Sequence, residues 1–305
     1  MSTSVYPPLP SNELKAKEDE LLAKELDWLL DSLQSSLAEL KNGLEECMVL
    51  LAPEEPGSTL VLSSLRSESI KGWITRVGSR IVKGDIHLQL HSLPPPRGQP
   101  SYHLKLSSQP SAPDLVLTQL ISVRNLINQS LDVVDVSTWT GDYRDANFIA
   151  GQLKILHDNL SEAKQALRGG DESQGYWWST SADEKTFDPP LPPHLSFHLS
   201  IYEAALELHL RTVCPADSSA TSGDPFAGFS IRDRLSAALG GPRKADHDEV
   251  GEIFTFRGHE VKVKEKVKVD SQDPSLLAVM AKLNVLEHNV ATSRKSLDIV
   301  MGRDE

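Results

Sequence analysis

Asp273-Pro-Ser-Leu-Leu-Ala-Val-Met-Ala-Lys-Leu-Asn-Val-Leu-Glu-His-Asn-Val-Ala-Thr-Ser-Arg-Lys-Ser-Leu-Asp-Ile-Val-Met-Gly302 is the stretch on which the reading of this chain turns. Leu276, Leu283, Val290 and Leu297 recur every seven residues, and Val279, Leu286 and Val300 each follow a leucine of the segment by three. That spacing predicts a helix with one apolar seam. Asp273 supplies an N-cap, Pro274 suits a first turn and Gly302 stands where the helix should stop, giving about 28 residues and about 42 Å of rod. An amphipathic rod needs a partner for its seam. The N-terminal stretch offers one: Leu22, Leu26, Leu29, Leu33, Leu37, Leu40, Leu44 and Cys47 fall at spacings of three and four, with a four-residue stutter around Leu33 to Leu40. The two ends of the chain are therefore expected to pack together.

Two middle segments share the helical period. Asp114 precedes Val116, Leu120, Val123, Ile127, Leu131 and Val134, and Asp145 precedes Ile149, Leu153, Leu156, Leu160, Ala163 and Leu167 before Gly169 and Gly170. Four amphipathic helices predict a four-helix antiparallel bundle assembled from residues 11–52, 114–168 and 273–302. Between the helices the period falls to two. Ile86, Leu88 and Leu90 alternate with polar residues, while Leu60 to Leu65, Ile70 to Val77 and Tyr102 to Leu106 are shorter runs of strand type. Leu195, Phe197, Leu199 and Ile201 alternate, and Leu206, Leu208 and Leu210 alternate again beyond Glu203 and Ala204, which reads as a hairpin. Ile253 to Phe256 and Val261 to Val269 flank Arg257-Gly258-His259, a second hairpin. The expected fold is α+β: the bundle joined to an antiparallel β domain drawn from residues 58–108, 194–214 and 250–270. Polar and proline-rich residues 169–193 and 215–249 read as largely flexible linkers, with a short helix over Ile231 to Leu239 and a mobile Ser218 to Asp224.

The net charge is −12, and residues 1–56 hold twelve acids against four lysines. Such a balance disfavours nucleic acid as the main partner and leaves either a solvated helix face or an acidic surface for a basic partner. No apolar run is long enough for a membrane-spanning helix, and Met1 to Pro10 lacks the blocks of a signal peptide, so a cytoplasmic chain without membrane insertion is expected. The cysteines, Cys47 and Cys214, are too few for a disulfide framework or a zinc cluster and read as packing residues.

Chemistry-bearing motifs are sparse. The sequence contains no phosphate-cradling loop with its lysine, no dinucleotide fingerprint after a strand and no nucleophile elbow, so no catalytic, cofactor-binding or metal-ligating residues are assigned and an enzyme is not expected. His87 with His91, and His194 with His198, are spaced by four, which on a helix would place each pair on one face as metal ligands; on strands each pair shares the polar, solvent-facing side, and no carboxylate or cysteine nearby completes a ligand set. Lys262, Lys264, Lys266 and Lys268 read as one face of a lysine-protected edge strand, or else as an anionic docking surface. Trp177 and Trp178, beside the Pro189-Pro-Leu-Pro-Pro run, read as aromatic packing of a linker onto its own domain, with partner binding as the other reading. Asn128-Gln-Ser and Asn159-Leu-Ser match the glycosylation pattern, which a cytosolic chain would not use. The assigned site is thus a structural seam of Leu26, Leu29, Leu33, Leu37, Leu40, Leu44, Leu276, Leu283, Leu286, Val290 and Leu297.

Glu25-Leu-Asp-Trp-Leu-Leu, Ile70-Lys-Gly-Trp-Ile, Ser122-Val-Arg-Asn-Leu-Ile-Asn-Gln, Leu191-Pro-Pro-His-Leu and Ile253-Phe-Thr-Phe, taken in that order, resemble the Rogdi family of leucine-zipper proteins across residues 20–301. Fungal members of that family are the small subunit of the RAVE complex. The resemblance implies a helical domain joined to a β domain, and a non-catalytic adaptor that promotes assembly and reassembly of the vacuolar proton-pumping ATPase. Its implied partners are a large WD-repeat subunit of rabconnectin type, the peripheral catalytic sector of the V-ATPase and a Skp-family adaptor. Its implied place is the cytoplasm, with peripheral recruitment to vacuolar and endosomal membranes, and no cofactor follows from it. In isolation the chain is expected to be a monomer, because both terminal heptad segments lie in one chain. The alternative is a coiled-coil homodimeric tether unrelated to the pump.

Overall fold

A computed structural model describes residues 10–52, 56–64, 69–139, 144–170, 176–216 and 247–303. Helix α1 runs Ser11–Leu51, α2 Thr118–Trp139, α3 Ala146–Arg168, the one-turn α4 Trp177–Thr180 and α5 Pro274–Val300. Strands β1 Ser58–Ser63, β2 Ile70–Val77, β3 Arg80–Leu88, β4 Tyr102–Leu106 and β6 Phe187–Asp188 form one antiparallel sheet in that order, with β5 Leu115–Val116 paired to β3. Strands β7 Leu195–Tyr202, β8 Ala205–Pro215, β9 Phe254–Phe256 and β10 His259–Gln272 form a second, ordered β7-β8-β10-β9. The short helix expected over Ile231 to Leu239, and the Ser218 to Asp224 segment, lie outside the described residues.

The fold is α+β, but the expected four-helix antiparallel bundle joined to one sheet is not what forms. Among the described residues there are five α-helices, one of them a single turn, and two antiparallel sheets. The chain divides into two compact units, Met1–Met48 with Asn125–Lys164 and Ala281–Glu305, and Val49–Arg124 with Gln165–Met280. Residues 118–124 of α2, 165–168 of α3 and 274–280 of α5 therefore belong with the sheets. A helical period reports that a face is buried, not what buries it. At these helix ends the covering groups come from strands and turns.

Three polar clamps in the sheet-bearing unit show how. Gln119 of α2 donates from Nε2 to the Ile201 carbonyl at 2.9 Å and accepts the Ile201 amide at 2.6 Å, which fixes α2 to β7. The β7–β8 turn holds Glu203 and Ala204 at positive φ, 48° and 56°, a conformation costly for residues with a Cβ. Their amides donate to the last carbonyls of α3, Arg168 at 2.8 Å and Leu167 at 2.9 Å, satisfying groups that a helix end leaves open. Asp273 is the N-cap of α5, accepting from the Ser275 amide at 2.9 Å. It is also wholly buried and receives the Arg76 Nε–H at 2.7 Å, while Arg76 Nη1 donates to the carbonyls of Gly78 at 2.6 Å and of Leu51 at 3.1 Å. One fully buried guanidinium thus joins the ends of β2 and α1 to the start of α5.

In the helical unit, the side chain of Leu286 of α5 lies against Gly43 of α1. Charged pairs flank the apolar contacts: Lys41 with Asp135 at 2.8 Å, Lys282 with Glu46, and Lys164 with Glu287.

Candidate functional site

Leu33, Leu37, Leu40, Leu44, Leu276, Leu283, Leu286, Val290 and Leu297 are all buried, whereas Leu26 and Leu29 are only half-buried. The division falls within one helix. From Leu30 onward α1 buries a continuous seam through Cys47 and Leu51; every residue from 11 to 25 is exposed. Nineteen residues, about 28 Å of helix at 1.5 Å per residue, stand without a buried side chain.

That exposed stretch is amphipathic. Leu14, Leu21 and Trp28 lie seven apart and so follow one seam, with Leu22 beside Leu21. Trp28 is 69% exposed and Leu21 64%. Between residues 11 and 31 stand Glu13, Glu18, Asp19, Glu20, Glu25, Asp27 and Asp31 against Lys15, Lys17 and Lys24. The surface is an apolar stripe set in negative charge, with one internal pair, Lys24 to Glu20 at 2.6 Å. A helix of this length gains little from propensity alone, and among the described residues nothing covers this stripe. The expected N-terminal seam begins at Leu22 and does not include Leu14, Leu21 or Trp28, although their seven-residue spacing stands in the sequence.

The sheet-bearing unit carries a cleft of about 550 Å³ lined by Trp177, Trp178, Arg211, Lys266 and Lys268 among others. A bulge in β10 between Val263 and Glu265 builds it. Without it Lys262, Lys264, Lys266 and Lys268 would share one face; with it, the pairings Val263 to Val213, Lys266 to Arg211 and Lys268 to His209 put the last two lysines on the face of Val261 and Val263. The expected single lysine stripe is therefore split. Trp177, 6% exposed, packs on Val213, Phe256, Val261 and Val263, with the Arg211 guanidinium 4.9 Å from its ring centre. Trp178 meets it edge-on and is partly buried.

The charges in this cleft answer one another. Arg211 donates to both oxygens of Glu249, at 2.7 and 2.9 Å, and Lys266 donates to Glu249 at 2.8 Å and Asp248 at 2.7 Å. Glu207 accepts from His209 at 2.7 Å and pairs with Lys268. Burial alone would raise the Glu207 pKa, but those two partners hold it down to about 2. His198, read from sequence as solvent-facing, is 5% exposed and bonded to Thr180 Oγ1 at 3.0 Å; burial, reinforced by His209 and Arg211, pushes it down to about 4. Burial likewise pushes His194 down to about 4 and the Cys47 thiol up to about 11. Ionised carboxylates matched to cations, beside neutral imidazole, tie β8 to β10 and to residues 247–249.

No helix among the described residues is long and apolar enough to cross a membrane. The family described as "Rogdi leucine zipper containing protein" matches residues 25–298. A protein of Schizosaccharomyces pombe named "Regulator of V-ATPase in vacuolar membrane protein 2" is 23% identical over 303 residues, covering 88% of this chain and 91% of that protein.

Proposed function

This chain belongs to the Rogdi leucine zipper containing protein family, and from that premise we propose that it is a non-catalytic adaptor that promotes assembly and reassembly of a vacuolar proton-pumping ATPase. The name of the fission yeast relative, a regulator of the V-ATPase, supports the pump, and the exposed stripe of α1 supports the manner of action. An adaptor works by holding partners together, and residues 14–28 offer an apolar surface that nothing in the chain's own described residues buries. Its acidic border matches a basic amphipathic segment of a partner, docked helix to helix. A second copy of the chain would set seven carboxylates against seven, which disfavours a homodimeric tether through this face.

The partner proposed for the stripe is the large WD-repeat subunit, with the peripheral catalytic sector brought along in the complex and the whole recruited to the vacuolar membrane from the cytoplasm. The test is affinity purification from the native cell of the wild-type chain and of Leu21→Ser with Trp28→Ser. The WD-repeat subunit should co-purify with the first and be depleted with the second. Equal recovery with both would remove the stripe from the account, and absence of the WD-repeat subunit from both would remove the adaptor reading.

A further inference from the structure

Strand register in the first sheet brings His103 of one strand beside Asp85 and His87 of its neighbour. His87 of β3 stands opposite His103 of β4, and Asp85 lies two residues before His87 on the same face. The two imidazoles stack with ring centres 4.4 Å apart and planes 5° from parallel. Both direct Nε2 at one carboxylate oxygen, Asp85 Oδ1, from 2.8 Å for His103 and 3.3 Å for His87. We propose that Asp85, His87 and His103 bind a zinc ion.

The chemistry fits in donor type and in spacing. Imidazole nitrogen and carboxylate oxygen bind zinc at about 2.0 to 2.2 Å, so neighbouring donors around a tetrahedral ion stand about 3.4 Å apart. All three donor atoms here lie within 4.8 Å of one another, and adjustment of side-chain torsions alone can close the set. His87 Nδ1 is 3.2 Å from Ser101 Oγ; with the ring proton on Nδ1 and donated to Ser101, Nε2 keeps its lone pair for the ion. The side chains are 29% to 49% exposed, so zinc can arrive without opening of the fold and water can complete the coordination. Lys71 faces His87 and Lys105 faces Asp85 across the sheet; their charge opposes a cation, and their flexible stems limit that cost. The residues paired by register differ from the His87 and His91 pair that spacing alone suggests.

The test is calorimetric titration of the full chain with zinc chloride. One ion per chain is expected at this site. His103→Asn and Asp85→Asn should each weaken it by more than about tenfold, because even residues behind a ligand change affinity by about 10 to 100-fold. Both variants replace half-buried polar groups by amides that can still hydrogen-bond, and their thermal melting without metal should match the parent; if one melts early, His87→Gln, at the exposed member of the set, serves in its place. X-ray absorption of the loaded chain should show two imidazoles at zinc. Absence of binding, or binding that the substitutions leave unchanged, would overturn the proposal.

Discussion

Arg76 and Asp273 are both fully inaccessible, and a buried ion pair broken on one side leaves a charge with no answer. Asp273→Ala should cost about 3 to 5 kcal/mol, read as a lower midpoint in urea unfolding. Gly72 is constrained differently: a Cβ there would come 2.2 Å from the Asp85 carbonyl oxygen and 2.7 Å from the Ile86 Cα, both backbone atoms that cannot turn aside. Gly72→Ala should destabilise by about 1 to 3 kcal/mol through overpacking, visible in the same experiment. The pH dependence follows from His198, whose pKa falls from 6.5 to about 4 in the fold. Between those values the unfolded chain binds the extra proton, so stability present above pH 6.5 is lost as pH falls, by up to about 3 kcal/mol near pH 4. His198→Gln should flatten that part of the curve of unfolding free energy against pH. Asp273 was legible as an N-cap, since capping is a local matter. Its Arg76 partner was not, because 197 residues separate them and no periodicity links a strand end to a helix start.

At the scale of elements, α1 is two helices in energetic terms. Past Leu30 its seam leucines Leu33, Leu37, Leu40, Leu44 and Leu51 are buried, and Leu37→Ala should cost about 2 to 5 kcal/mol. Before it Leu14, Leu21 and Leu22 stand in water and Leu26 and Leu29 are half-buried, and Trp28→Ser should change stability by no more than about 0.5 kcal/mol in thermal or urea unfolding. A large loss on Trp28→Ser would mean that the stripe is covered within the chain. The heptad pattern gave no sign of this division, because spacing is blind to what lies opposite. Strand boundaries read well where alternation was clean: β2 and β4 fall on the expected residues. Strand β10 read poorly in facing. Its lysines and valines alternate without a break in sequence, and only the bulge opposite Val213 and Thr212 reverses which side the later lysines occupy. A bulge depends on the partner strand, which the local sequence does not contain.

For the whole molecule, the α+β class was legible from the change of period, while the bundle was not a sound inference from four seams. Helix ends that a period marks as buried are taken up by Ile201, by the Glu203 and Ala204 turn and by Arg76. Because α1 and α5 already meet within one chain at Gly43 and Leu286, the isolated protein should have the mass of one chain by light scattering at micromolar concentration. The adaptor role is tested most directly by membrane fractionation of cells lacking this protein, after a stress that disassembles the pump and a period of recovery. The account predicts normal abundance of all pump subunits, fewer catalytic-sector subunits on vacuolar membranes and weaker acidification. Unchanged recovery of that sector on the membrane, with normal luminal pH, would contradict it.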